Sequence, residues 1–537
     1  MKLTTQGLRD RASWEARGYS LPAFDREAMI SRTKAQPQWI HFGGGNIFRA
    51  FHAHTAQQLL NAGGMDRGII MVDGDPKIVR DQYRLHDNCA ILVNLQADGS
   101  VRKTVLGSIA ESLVLGRTGQ ADFLRLQEIF SAPSLQLATF TITEKGYRLK
   151  DSSGTLLPEI QQDAAAGPAA PDSYLGRVAA LLYTRYLRGG HPIAMVSTDN
   201  CSHNGDQLRA AMTFFADQWT GRGLAEEGFA GYVRDPAQVS FPWTMIDKIT
   251  PRPDPSVEKL LQEDGIEDLT AVISSRNSYV APFVNAESTE YLVVEDAFPA
   301  GRPPLEKAGL LFTDRETVDK VESMKVFACL NPLHTALAIY GCLLGYQRIS
   351  EEMKDPDLLR LVQVIGYQEN LPVVTDPGIL DPKEFMDTCL QVRFPNPFMP
   401  DTPQRIATDT SQKLSVRFGQ TLHSYLRQGK SLQQLRGIPL VFAGWLRYLM
   451  AVDDEGKPFS LSPDPLLESV CPCVADIPFD ARHTEEKIGP LLRNSSIFGV
   501  DLYEAGLAHT VITDFEQLIE GPGAVRRTLA ALADAHS

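Results

Sequence analysis

The stretch QWIHFGGGNIFRAFHAHTAQQLLNAGGMDRGIIMVDGD, residues 38–75, decides the fold class of this chain. A short apolar strand at 38–43 ends in glycines, and a segment with helical spacing follows at 46–63. A second apolar strand, 68–75, carries Asp73 near its end. This order of strand, helix and strand predicts a βαβ unit of an α/β domain.

The glycine run is the first candidate binding site. In a dinucleotide-binding turn the first glycine makes the turn, and the second lets the backbone approach a pyrophosphate at a helix N-terminus. Gly43 and Gly45 occupy these positions, but Phe48 stands where the pattern has its third glycine. Asp73 follows Gly45 by 28 residues, more than the usual spacing of about 20, and could still bind a ribose hydroxyl. A turn without ligand explains the run equally well.

The order of the remaining segments predicts how the chain is divided. Apolar strands at 135–143 and 191–200 with a helical segment between them favour a mostly parallel sheet. After a loop rich in Pro and Gly, 295–309, helical periodicity dominates. We therefore expect an N-terminal extension packed on the first domain, 1–36, a Rossmann-type domain, 37–300, and a mainly helical domain, 301–537.

Composition excludes several classes of function. The net charge of −14 over 537 residues argues against a nucleic-acid or anionic-membrane surface, because both are bound through clustered Lys and Arg. The N-terminus has no apolar run of the signal-peptide type. The most apolar stretch, 438–452, is shorter than the roughly 20 residues of a membrane span and contains Pro439 and Arg447. We expect a buried helix there, no membrane span and a cytoplasmic location.

The seven cysteines predict neither disulfides nor a metal site. They are odd in number and scattered, which is not the pattern of a disulfide framework. Cys471 and Cys473 form the one close pair, and no second pair stands at zinc-site spacing. Metal binding there is therefore the minor alternative, and we assign the segment 455–537 only to helical packing.

A second candidate site lies in ESMKVFACLNPLH, residues 322–334. Asn331 and His334 are three residues apart and meet on one helix face. In a regular helix Lys325 would lie about 120° from Asn331 and about 180° from His334. A one-residue π-bulge would turn the lysine back toward them, and such bulges are frequent at functional sites. The alternative is a surface lysine, a capping asparagine and a core histidine.

Seven segments, in this order, carry a resemblance: FGGGNIFRA, TITEKGY, STDNCSHNG, FPWTMIDKITP, EDAFPAGRPPLEKAGLLF, LNPLHTALAIYG and RIATDTSQKL. Together they resemble the polyol-specific long-chain dehydrogenase family over residues 39–415. The resemblance implies a metal-independent, NAD-dependent oxidoreductase. It also implies a Rossmann-type N-terminal domain, a helical C-terminal domain and an active site in the cleft between them.

The resemblance implies five catalytic residues. Lys325 matches the general acid/base, and Asn331 and His334 match its helical partners. Asn200 matches a second asparagine beside the reacting oxygen, and Glu322 an acid on the proton path to solvent. One departure is that five residues separate Lys325 from Asn331, where the family pattern has four. The extra residue puts the register of the lysine in question.

The resemblance also implies cofactor and substrate contacts. The substrate contacts are Asp247, Arg405 and Lys413. Arg405 suits a carboxylate best because its planar fork can bind two oxygens, although solvated surface charge is the alternative for both cations. The residues matched to NAD binding are Gly43, Gly45, Asn46, Ile47, Asp73 and Glu144.

The sequence therefore predicts hydride transfer between NAD and a small sugar acid or polyol. The leading hypothesis is interconversion of a hexuronate ketone and its aldonate, of the fructuronate and mannonate type. The alternatives are a neutral polyol dehydrogenase of the mannitol or arabinitol type, a tagaturonate reductase and a catalytically inactive NAD-binding sensor. We expect a monomer or small homo-oligomer.

Overall fold

The computed structural model describes residues 1–96, 98–274, 279–399 and 401–534. The chain divides into two compact units. The first comprises Met1–Gln96 and Ser100–Val318, and the second begins at Asp319.

A six-stranded parallel sheet organises the first unit. Its strands are β1 (Trp39–Phe42), β2 (Ile69–Asp73), β3 (Ile109–Val114), β4 (Leu137–Phe140), β5 (Ile193–Ser197) and β6 (Val239–Ser240). They lie in the order β3-β2-β1-β4-β5-β6, and every neighbouring pair is parallel. This is the strand order of the doubly wound dinucleotide-binding fold, in which ligands bind beyond the carboxyl ends of the strands.

Both faces of this sheet are buried, as a parallel sheet requires. Side chains alternate between the faces, so Ile40 and Phe42 join one apolar cluster and Trp39 joins the other. Helices cover the faces: Arg26–Ala35, His54–Asn61, Ala121–Ser131, Pro158–Ala166, Tyr174–Leu187, Asn204–Gly221 and Phe229–Arg234. Further α-helices are Arg11–Glu15, Pro76–Ile78 and Pro255–Glu263, and π-helical segments lie at Phe48–Ala53 and Val79–Tyr83.

Three smaller sheets complete the first unit. One contains Tyr19–Ser20, Val101–Leu106, Ala90–Leu95 and Phe283–Glu287 in that order. The second contains Thr244–Asp247, Tyr291–Glu295 and Leu311–Thr313, and the third Val272–Ile273 and Tyr279–Val280. Because Leu311–Thr313 pairs with Tyr291–Glu295, the loop at 295–309 connects two strands of one sheet. The first unit consequently extends beyond the boundary that the composition of this loop suggested.

The second unit is helical, and no strand is assigned within its described residues. Its α-helices are Arg315–Met324 (which begins in the first unit), Asn331–Leu344, Ile349–Glu352, Pro356–Gln363, Pro382–Thr388, Pro403–Ile406, Thr410–Leu414, Gln420–Arg427, Gly437–Leu449, Leu467–Val470, Glu485–Leu492, Ser495–Phe498, Ala508–Leu518 and Ala524–Asp534. Four π-helical segments, Lys325–Cys329, Val364–Asn370, Cys389–Arg393 and Ser415–Gly419, interrupt them.

The apolar stretch near residue 440 forms the buried helix that was expected, because every residue of Gly437–Leu449 is buried. By length and composition, one described helical segment, Arg315–Leu344, meets the criterion for a membrane span. However, 72% of its most apolar part is buried inside the protein. Core helices of globular proteins meet the same criterion.

Candidate active site

Gly43 and Gly45, the first and third glycines of the turn after β1, have different structural roles. Gly43 has φ +119°, and a Cβ there would lie 2.2 Å from the carbonyl oxygen of Thr141. A Cβ on Gly45 would meet no atom within 4 Å. Gly43 is therefore required by the fold of the turn, whereas Gly45 leaves open space beside the backbone, as a group that approaches closely needs.

Asp73 fastens this turn to the end of β2. Its Oδ2 accepts a hydrogen bond from the Gly44 N–H at 2.7 Å, and its Oδ1 accepts one from the Asp75 N–H at 2.8 Å. The Tyr83 hydroxyl donates to the Gly44 carbonyl at 2.8 Å. From the sequence, Asp73 was expected to bind a ribose hydroxyl. No sequence pattern indicated Tyr83, which lies 39 residues from Gly44.

Beyond the turn, the helix begins at Asn46, followed by the half-buried Ile47. The Oδ1 of Asn46 accepts from Arg49 Nη2 at 2.7 Å, and its Nδ2 donates to the Pro251 carbonyl at 3.2 Å. Arg49 is fully buried, and burial lowers the pKa of its guanidinium.

Phe48 occupies the position at which the dinucleotide-binding pattern has its third glycine. Its buried ring stacks on His41 of β1 with centroids 4.6 Å apart. The segment that was expected to form a regular helix forms a π-helix over Phe48–Ala53, and an α-helix over His54–Asn61 follows it. The aromatic ring therefore makes the helix–sheet contact at this position.

The STDN and TITEKGY segments meet through Asp199. This buried carboxylate accepts from the N–H groups of Ile142 and Thr143, at 2.9 and 2.8 Å, and from the Tyr147 hydroxyl at 2.6 Å. Burial raises the pKa of Asp199, although these three donors oppose the shift. The next residue, Asn200, is exposed. Asp199 thus fixes the end of the strand that presents Asn200.

Two further predicted residues of the first unit differ in burial. Glu144 is exposed at the start of the 3₁₀ turn Glu144–Tyr147. Asp247 is buried at the end of Thr244–Asp247. Its neighbour Lys248 donates from Nζ to the Glu287 carbonyl at 2.6 Å and pairs with Glu290 at 2.7 Å.

In the second unit, the π-bulge expected between Lys325 and Asn331 is present. Residues Lys325–Cys329 are π-helical, and the Leu330 N–H donates to the Lys325 carbonyl, five residues back, at 3.1 Å. A bulge of one residue reduces the angle between Lys325 and His334 from about 180° to about 80°. Lys325 itself is buried, at 5% exposure, and the half-buried Glu322 lies one turn earlier.

His334 lies next to one carboxylate and is also affected by the charges of three arginines. Its Nε2 is 3.5 Å from an Asp401 carboxylate oxygen, and its ring stacks on Phe394 with centroids 5.2 Å apart. Burial lowers the pKa of His334 to about 4; Arg417, Arg405 and Arg393 add to the shift, and Asp401 opposes it. The imidazole is therefore neutral at neutral pH.

The two predicted substrate cations are engaged differently. Arg405 is exposed and pairs with Asp401 four residues earlier. Lys413 donates from Nζ to the carbonyls of Ile406 and Thr408, and burial lowers its pKa. Asp401 was not among the predicted residues, although the spacing of four to Arg405 is a signal for an ion pair within one helical turn.

Arg417 is another residue of this region that the sequence analysis did not single out. It lies in the π-segment Ser415–Gly419 and donates to the Thr335 hydroxyl and, at 3.4 Å, to the Asn331 carbonyl. The Thr335 hydroxyl also donates to the Asn331 carbonyl, at 3.0 Å. Burial lowers the pKa of Arg417 to about 10. Arg417 therefore holds the start of the helix that carries Asn331 and His334.

Comparison with known families supplies the decisive observation. The family described as "Mannitol dehydrogenase Rossmann domain" matches residues 37–307, and "Mannitol dehydrogenase C-terminal domain" matches 317–519. The chain belongs to the mannitol dehydrogenase family. The predicted family and the predicted combination of a Rossmann-type and a mainly helical domain are confirmed, and the chain is an oxidoreductase of this family.

Two relatives within the family match at least 82% of this chain. A D-mannonate oxidoreductase of Thermotoga maritima is 47% identical over 534 residues, which is 98% of each chain. A mannitol 2-dehydrogenase of Cereibacter sphaeroides is 31% identical and covers 82% of this chain and 85% of its own length.

A solved structure extends the comparison to the cofactor. Mannitol 2-dehydrogenase of Pseudomonas fluorescens, in a ternary complex with NAD and D-mannitol, aligns with a TM-score of 0.68 at 28% identity, over 99% of this chain and 100% of its own. The predicted cofactor agrees with the NAD in that complex. Within the residues that the structure describes, no group of three or more His, Cys, Asp or Glu side chains could hold a metal ion.

Proposed function

We propose that this chain is a metal-independent, NAD-dependent oxidoreductase that interconverts a hexuronate ketone and its aldonate, of the fructuronate and mannonate type. The observation that carries the proposal is that three arginines, Arg417, Arg405 and Arg393, and one carboxylate, Asp401, act electrostatically on His334. A substrate that carries a carboxylate complements this imbalance, and a neutral polyol does not. The T. maritima relative, which is 47% identical, is named a D-mannonate oxidoreductase, and mannonate is an aldonate of this type.

The glycine turn fits the cofactor. Gly45 offers unobstructed space next to a helix N-terminus, where free N–H groups favour the pyrophosphate. We assign Gly43, Asn46 and Ile47 to the same turn, and Asp73 and Glu144 to contacts with the rest of the cofactor. NAD, when bound, supplies or accepts the hydride.

The chain's own residues handle the proton. We assign Lys325 as the group that takes the hydroxyl proton of the aldonate or returns it to the ketone oxygen. Asn331 and Asn200 are assigned as amide donors to the oxygen on which charge develops. Neutral His334 orients the substrate by hydrogen bonding, and Glu322 passes the proton toward solvent.

Substrate recognition is assigned to three side chains. Arg405 is the proposed carboxylate ligand, because its guanidinium is solvent-accessible and can present two parallel N–H groups. Asp247 and Lys413 are assigned to substrate hydroxyls. The cytoplasmic location, the absence of macromolecular partners and a monomeric or small oligomeric state remain predictions.

A neutral polyol dehydrogenase is the second candidate, because mannitol 2-dehydrogenases are also relatives of this chain. NADH consumption measured side by side with fructuronate, tagaturonate and fructose distinguishes the two. The proposal predicts turnover of fructuronate, with fructose at least about tenfold poorer in kcat/KM. Preferential turnover of fructose would contradict it. NADH binding without turnover of any of the three would favour the inactive sensor.

A further inference from the structure

Two π-helical segments of the second unit and the helix that follows a third are linked by one buried asparagine. Asn370 is the last residue of Val364–Asn370 and has no exposed surface. Its Nδ2 donates to the Ala328 carbonyl at 2.7 Å, within Lys325–Cys329. Its Oδ1 accepts from the Thr421 hydroxyl at 3.1 Å, and Thr421 follows Ser415–Gly419 by two residues. One side chain thus joins two π-helical segments and the α-helix Gln420–Arg427, which directly follows the third.

The Ala328 carbonyl needs this partner for a reason that the sequence contains. In an α-helical register it would accept from the N–H of residue 332. That residue is Pro332, which has no N–H. A buried carbonyl without a donor costs about 1–3 kcal/mol. Asn370 replaces the missing donor.

The segment that Asn370 contacts also borders unfilled space. Met324, Phe327 and Ala328 border a cavity of about 170 Å³ that Asn370 and Thr421 also line. Without the hydrogen bonds, the segment has space into which it could relax. The two hydrogen bonds of the Asn370 side chain, which we call its amide bracket, are therefore a directional restraint on the turn that begins with Lys325, in addition to the hydrogen bond from the Leu330 N–H to the Lys325 carbonyl.

We propose that Asn370 is a positioning residue for Lys325: it fixes the π-helical register that accommodates the extra residue between Lys325 and Asn331. This inference rests on the proposed role of Lys325. It concerns geometry alone, because Asn370 contacts a backbone carbonyl of the segment and acts on the reaction only through it.

The test compares two variants that remove the bracket with two controls. Asn370→Leu removes both hydrogen bonds with little change in volume, and Thr421→Val removes one of them. Thr421→Ser keeps the hydroxyl and should retain wild-type turnover. Thr484→Val removes another buried hydroxyl of the second unit, bonded to Glu516, and controls for lost stability alone.

Steady-state kinetics with fructuronate, thermal unfolding and NADH binding are measured for each variant. We expect kcat to fall about 100-fold in Asn370→Leu, since a misplacement of about 1 Å has this effect, and severalfold in Thr421→Val. The KM for NADH should stay within twofold of wild type, and the isotope effect with deuterated NADH should rise. Thr484→Val should lose stability without either kinetic change.

The outcomes are distinguishable. A folded Asn370→Leu protein with kcat within twofold of wild type overturns the inference. If Asn370→Leu does not fold, Thr421→Val decides, and unchanged kcat and isotope effect in that variant overturn the inference as well. Unchanged turnover in Lys325→Ala would instead overturn the proposed function, whatever Asn370 does.

Discussion

Arg405 is the single residue proposed to give the site its preference for a substrate with a carboxylate. It is the exposed member of a pair with Asp401, which also lies 3.5 Å from His334. Replacement by lysine keeps the charge and removes the planar fork that binds two carboxylate oxygens. Arg405→Lys should therefore raise the KM for fructuronate about tenfold and leave the KM for fructose unchanged.

The matched control for Arg405→Lys is Arg482→Lys. Arg482 pairs with Glu520 at 2.7 Å on the surface of the same unit. It has no proposed part in the site. Equal changes in KM for the acid and the neutral sugar would contradict the role of Arg405 as a carboxylate ligand.

His334 makes stability depend on pH. Its pKa is lowered to about 4 by burial, against an ordinary value of 6.5. Between these values the unfolded chain binds a proton that the native chain does not. The free energy of unfolding therefore falls as the pH drops from about 6.5 to 4, by on the order of 3 kcal/mol.

A comparison of variants isolates this contribution. Glu369 acts in the opposite direction, because burial raises its pKa to about 7 and its stabilising contribution is lost as the pH rises from 4.5 to 7. The measurement is denaturant unfolding of wild type and His334→Asn across this range. The difference between them should shrink toward low pH, and a constant difference would exclude a neutral His334.

At the scale of elements, the glycine turn offers a matched pair of substitutions. Gly43→Ala forces a side chain into a left-handed conformation, with its Cβ 2.2 Å from the Thr141 carbonyl, and should lower the melting temperature. Gly45→Ala meets no atom and should leave the melting temperature unchanged. It should nevertheless weaken NADH binding at least tenfold, as followed by fluorescence titration. If Gly45→Ala bound NADH with wild-type affinity, this result would contradict binding of the cofactor at this turn.

The same elements separate what the sequence could predict from what it could not. The βαβ order and the π-bulge were predictable, because apolar periodicity and the spacing of Lys325 from Asn331 are local properties. The hydrogen bond from Asn370 to the Ala328 carbonyl was not predictable, because the two residues are 42 positions apart in the sequence. Tyr83 and Arg417 were missed for the same reason, since a contact across the fold leaves no periodic trace.

For the whole molecule, the sequence predicts a domain boundary near residue 300, and the first compact unit of the structure ends at Val318. A loop rich in Pro and Gly is also what connects neighbouring strands, and pairing of Leu311–Thr313 with Tyr291–Glu295 keeps the following segment in the first unit. The proposed cofactor turn then belongs to the first unit and Lys325 to the second. Cofactor binding and proton transfer should therefore be separable by mutation.

The most direct test of the account is the rate of NADH oxidation with fructuronate by wild-type protein and Lys325→Ala, with NADH affinity measured in parallel. We predict that the substitution lowers kcat by about 100-fold or more, the range of general acid–base catalysis, and leaves NADH affinity unchanged. Turnover at the wild-type rate in Lys325→Ala would contradict the assignment of Lys325 as the proton-transferring group.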